Sequence, residues 1–128
     1  MPGMQFRCVG FAVSAVLVFA CRGDNPPSAA EITDRAWTAH ALVIAAGERA
    51  KTCAEAGTAM QRAFGDHRQA FVDAIALDQD RAKLAEATRY IEDHESRYAD
   101  LETRMEALSE RCATDATVQA AFQQMSNP

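Results

Sequence analysis

The residues of this chain best suited to chemistry are its four cysteines and three histidines. A cysteine can be acylated, oxidised in a pair or made a metal ligand, and a histidine can ligate metal or carry a proton near neutral pH. Cys8 and Cys21 lie in or directly after an apolar run, whereas Cys53 and Cys112 stand far apart in the body of the chain. No Cys-x-x-Cys-His is present, so covalent c-type haem is unsupported. The glycine-rich phosphate loop, His-Glu-x-x-His, Gly-x-Ser-x-Gly and the paired Glu-x-x-His of di-iron bundles are all missing from the sequence. The residue types therefore lead to no catalytic residue and no cofactor, and the expectation is a protein that is not an enzyme.

The cysteines are placed by what surrounds them. Residues 1–20 read MPGMQFRCVGFAVSAVLVFA, with Arg7 the only charge. The uncharged stretch Cys8–Ala20 would span roughly 20 Å as a helix, too short for a hydrocarbon core of about 30 Å. A basic start, a short apolar run and small residues at its end predict a secretory signal peptide over 1–20. The stretch Val18-Phe19-Ala20-Cys21 resembles the lipobox of bacterial lipoproteins, in which an aliphatic residue and two mostly small ones precede the cysteine that is lipidated and becomes the mature N-terminus. Phe19 departs from that pattern, and the same residues suit the ordinary secretory peptidase, which cuts the same bond. The resemblance implies lipidation of Cys21 and attachment to a membrane. In that family Asp directly after the cysteine usually retains the protein at the inner membrane. Arg22 stands there instead, which implies the outer membrane, facing the periplasm. Without lipid the product would be periplasmic or secreted.

Parity supports the lipid. Cleavage after Ala20 removes Cys8 and leaves three cysteines, and an exported protein needs an explanation for the odd thiol. Lipidation of Cys21 supplies it and leaves Cys53 and Cys112 as a pair. Residues 21–28 then form a short lipid-anchored tether with a proline pair, and 29–128 the folded domain. The chain carries a formal net charge of −5, which argues against a nucleic-acid partner.

The domain that must position these residues reads as all-α. There is no proline from Ser28 to Asn127, and good helix formers dominate. Ser28 and Glu31 form a capping box that opens a first helix. A seam of Ala36, Val43, Ala50, Cys53, Met60 and Phe64 then predicts one helix running to a C-cap at Gly65. Trp37 and Ile44 make a second stripe, for a second neighbour. Asp66 and Gln69 would cap the next helix, which carries Phe71, Leu77, Leu84 and Ile91. The apolar pattern stops over Glu92–Ser96 and resumes at Tyr98, Leu101, Met105, Leu108 and Cys112. Residues 66–112 are then either one long helix or two, with Ser96 as an N-cap.

The cysteines choose between these. A disulfide needs Cα atoms within about 7 Å. With a turn at Gly65, Cys112 reaches the level of Cys53 only if the chain reverses within Glu92–Ser96, which is the polar run. The expectation is an up-down-up three-helix bundle stapled by Cys53–Cys112. Thr114-Asp115 can cap a short terminal helix carrying Val118, Phe122 and Met125; continuation of the third helix is the alternative.

The same topology brings His40 near His94, with Glu92 or Glu95 beside them, a set that could hold zinc or copper. Neither spacing nor ligand count is diagnostic, so no metal is expected. The acidic residues from Glu92 to Glu110, with Arg97, Arg104 and Arg111 between them, read as a solvated helix face including an Asp100–Arg104 pair. A basic protein could dock there. Met60, Met105 and Met125 read as core. The function expected is a small envelope lipoprotein acting through protein contacts; the alternative is a bundle that binds metal or a small ligand, with a pocket beside Trp37. Oligomeric state is not legible.

Overall fold

The computed structural model describes residues 25–128, and every described element is helical. The signal peptide expected over 1–20, and Cys21 and Arg22 after it, lie outside the described residues. Five α-helices are present rather than three: α1 (Ala29–Glu48), α2 (Cys53–Ala76), α3 (Arg81–Asp93), α4 (Glu95–Arg111) and α5 (Ala116–Ser126), with one 3-10 turn over Leu77–Gln79. None of them is long and apolar enough to cross a membrane.

Each start has a local cause. Ser28 accepts from the Glu31 amide while the Glu31 carboxylate accepts from the Ser28 amide, so the expected capping box opens α1. Thr52 accepts from the Glu55 amide and opens α2. Asp80 caps α3 through the Ala82 and Lys83 amides, and Asp115 caps α5 through those of Thr117 and Val118. The junction between α3 and α4 is His94, which caps with no side-chain bond; Ser96 lies within α4.

The turns differ from those expected. The chain reverses at 49–52, where the first helix was expected to run on, and Gly65 lies exposed inside α2. A glycine within a helix costs only about 1 kcal/mol against alanine, too little to end a helix whose flanks are buried. Asp66 and Gln69 accordingly do not begin a helix; Gln69 donates to Asp73 one turn on. The second reversal is at Leu77–Asp80. At His94 the chain keeps its sense: Tyr90 meets Asp34 and Arg104 meets Glu48, so α3 and α4 both advance along α1 in its own direction. The last reversal follows Cys112, and α5 returns beside α2, with the Gln61 amide donating to the Thr117 carbonyl at 3.0 Å and Arg68 to that of Pro128.

Cys53 and Cys112 are joined, with Cα atoms 5.5 Å apart. The pairing is as expected, but its geometry is not. Cys53 is the first residue of α2 and Cys112 the residue after α4, so the bond ties two chain turns at one end of the molecule. The main core lies between α1, α2 and α5, with Leu101 and Leu108 added from α4; Val43, Ile44, Met60, Phe71 and Val118 are among its most completely buried side chains. Met60 and Met125 are buried as expected, and Met105 packs at the edge. A second small cluster, Ala29, Leu77 and Ala87, closes the opposite end.

Candidate functional site

Helix α3 contributes little to either cluster. It buries only Ala87, while Leu84 and Ile91, one turn to either side on the same face, remain 42% and 40% exposed. That face looks across a cleft of about 420 Å³ bounded by α1, the end of α2, α3 and α4. Buried Ala36, Leu77, Ala87 and Leu101 line its depth. Trp37 and His40 come from α1, Ala74 from α2, and Tyr98 and Met105 from α4. Asp78, in the 3-10 turn, and Glu102, on α4, are the carboxylates of the lining, and both are exposed.

A polar cluster outside the lining holds Trp37 in place. The Tyr90 hydroxyl donates to Asp34 Oδ1 at 2.6 Å, and Arg97 Nη2 donates to the same oxygen at 2.7 Å. The Arg97 guanidinium also lies 3.8 Å from the centre of the Trp37 ring, a cation–π contact. Trp37 Nε1 in turn donates to the Arg97 carbonyl at 3.4 Å. These bonds fix Trp37 against α4 beside Tyr98. They also shift titrations: the hydrogen bond from Tyr90, then that from Arg97, holds the Asp34 carboxyl below its ordinary value. The bond to Asp34 raises both Tyr90 and Arg97.

The polar groups of the cleft itself are few. His40 donates from Nδ1 to the Ala36 carbonyl at 2.8 Å, which leaves its lone pair on Nε2. The ring lies 4.4 Å from Phe71, and burial pushes its pKa down, so it is neutral at neutral pH. The Tyr98 hydroxyl is shielded from solvent and has no hydrogen-bond partner among the described residues; burial pushes its pKa up. Buried Thr33 spends its hydroxyl on the Ala29 carbonyl.

Of the residues singled out from sequence, Trp37 and His40 both line this cleft, whereas the sequence set His40 beside His94 and named the pocket beside Trp37 separately. The structure does not bring His40 and His94 into a metal site. Among the described residues no group of three potential metal ligands is gathered. His94 instead stacks on Tyr90 with ring centres 4.1 Å apart, because its helix continues in the same sense rather than turning back. His67 lies inside α2, away from any turn. The arginines of α4 are not simply a solvated face. Arg97 meets Asp34, Arg104 makes two bonds to Glu48, and Arg111 reaches the Gly47 carbonyl. Arg104 is thus paired across helices, not with Asp100 as expected.

The Asp34–Tyr90–Arg97 cluster escaped the sequence reading altogether. Its members are separated by 56 and 63 positions, beyond any helical spacing rule. The start of α2 was missed as well, although a local signal was present: Thr52-x-x-Glu55 has the same spacing as the box at Ser28. In comparison with known proteins, the chain matches no protein-family model, no curated protein and no solved structure.

Proposed function

We propose that this protein is an exported helical module that works by binding rather than by catalysis, with the cleft between α1, α3 and α4 as its binding site. The observation that carries this reading is the uncovered apolar face of α3, Leu84 and Ile91, set over a cavity already lined by Trp37, Leu77, Leu101 and Met105. Its volume falls within the range of about 300–1,000 Å³ in which small-molecule sites are found. Leaving two large aliphatic side chains partly in water forgoes about 25 cal/mol for every Å² that a ligand would cover. No nucleophile with a matched base stands in the lining, which favours binding over covalent chemistry.

The signal peptide at 1–20, the lipidated Cys21 and the short tether complete the proposal: acyl chains hold the module at the envelope, with the outer membrane, periplasmic side, as its place. Two or more acyl chains suffice for stable anchoring where one does not. Metabolic labelling with an acyl precursor tests the anchor: Cys21→Ala should lose both label and membrane association, and continued labelling would refute it.

The binding reading has a built-in reporter, because Trp37 is the only tryptophan of the chain. Titrating exported Cys21→Ser protein with a neutral apolar fluorophore such as N-phenyl-1-naphthylamine should quench Trp37 by energy transfer. Ala74→Phe, which fills the cleft, should abolish the effect. Quenching that survives Ala74→Phe would place the probe elsewhere.

A further inference from the structure

We propose that the ligand of this cleft is an amphiphile with an apolar chain and a protonated amine head. This deepens the binding reading above and rests on it. The argument is one of chemical complementarity. An apolar cavity recognises a chain by area, but it discriminates among heads through the few polar atoms it offers. In this cleft those atoms are almost all acceptors. Asp78 and Glu102 bring two carboxylates to the lining, from the 3-10 turn and from α4. His40, which also lines the cleft, has its proton engaged on the Ala36 carbonyl and keeps a lone pair at Nε2. The Tyr98 hydroxyl can serve in either sense.

The lining contains no lysine and no arginine. Nearby guanidiniums are committed elsewhere: Arg97 to Asp34 and Arg104 to Glu48. Neither Asp78 nor Glu102 enters an ion pair among the described residues. A carboxylate or phosphate head would therefore meet like charge and find no cation. A neutral hydroxyl head would gain a single ordinary hydrogen bond. An ammonium head donates up to three and meets opposite charge, and hydrogen bonds to ionised groups are roughly twice as strong as neutral ones. The size of the cleft, about 420 Å³, suits a small molecule, since such sites run from about 300 to 1,000 Å³.

The test uses exported Cys21→Ser protein and three probes of one chain length: decylamine, decanol and decanoate, each below its micelle concentration. Trp37 emission is the readout. Decylamine should bind about ten-fold more tightly than decanol, a difference of about 1.4 kcal/mol, with decanoate the weakest. In the double variant Asp78→Asn, Glu102→Gln, both sites being exposed, the ratio of decylamine to decanol affinity should fall from about ten to about one. Decanoate binding as tightly as decylamine, or an amine preference that persists in the double variant, would overturn the proposed head group while leaving an apolar binding site in place. Failure of all three probes to move Trp37 emission would remove the binding site itself, and the head group with it.

Discussion

Three glycines face different surroundings, and their substitution reads out how tightly the helices meet. At Gly57 a Cβ would lie 2.6 Å from the Thr117 backbone, where α2 and α5 touch. Backbone cannot give way, so Gly57→Ala should destabilise the fold by about 1–3 kcal/mol, measured as a lowered urea midpoint. At Gly47 the obstacles are the side-chain ends of Leu108 and Met60, at 2.7 and 2.8 Å, which can move, and the cost should be smaller. Gly65 has nothing within 4 Å and sits inside α2. Gly65→Ala should therefore stabilise the protein by about 0.5–1 kcal/mol. His40 gives a second residue-level prediction. Its folded pKa lies below the ordinary 6.5 because burial disfavours its charge. The unfolded chain then binds the extra proton first, so this contribution to stability is complete above 6.5 and is lost as pH falls through that value toward the lower folded one. Asp34 does not confuse the measurement, since its carboxyl titrates below 3.8. Urea midpoints compared at about pH 7.5 and about pH 5.5 should fall in the native protein, and His40→Gln should remove most of that difference.

Every described α-helix except α4 begins where a side-chain oxygen takes up free amides, and this rule separates right from wrong expectations. Ser28 and Asp115 were identifiable as starts because a cap needs only its own next three residues. Thr52 carries the same signal but was hidden by a seam that stays in phase across the turn: Val43, Met60 and Phe64 all enter one core although a reversal separates the first from the others. Gly65 misled because a helix-ending residue type is not a helix end unless the flanking faces gain by parting. Asp80→Ala should cost about 0.5–2 kcal/mol, because two amides at the start of α3 lose their acceptor. Since α3 buries little else, hydrogen exchange should show that loss as faster opening of 81–93, with α2 protected as before. An unchanged exchange rate in α3 would contradict the role assigned to the cap.

Over the whole molecule, the disulfide closes a loop of 59 positions and ties the start of α2 to the end of α4. By chain-entropy reasoning that closure contributes roughly 4 kcal/mol, comparable with the entire net stability of a small domain. Replacing both Cys53 and Cys112 by serine should therefore lower the unfolding free energy by a few kcal/mol, read from urea curves with and without reductant. Ion pairs from α4 to α1 should matter less, because Arg97–Asp34 and Arg104–Glu48 are both partly exposed and such pairs contribute about 1 kcal/mol or less. Their consequence is positional: they hold α4 against α1 and so keep the cleft open in front of α3.

The helical class and the Ser28 and Asp115 caps were set by the amino-acid sequence alone. Each depends on composition or on residues within one helical turn of one another, where the interacting partners are already neighbours. The pairing of Cys53 with Cys112 was also legible, through cysteine parity and apolar placement, even though the level arithmetic assumed the wrong turns. Tertiary structure alone decided where the chain reverses, which arginine meets which carboxylate, and that a cleft remains beside Trp37. Those outcomes compare the free energies of whole packings. A turn at 49–52 rather than at Gly65 is settled by how α1, α2 and α5 fit together, and no short stretch of residues carries that information.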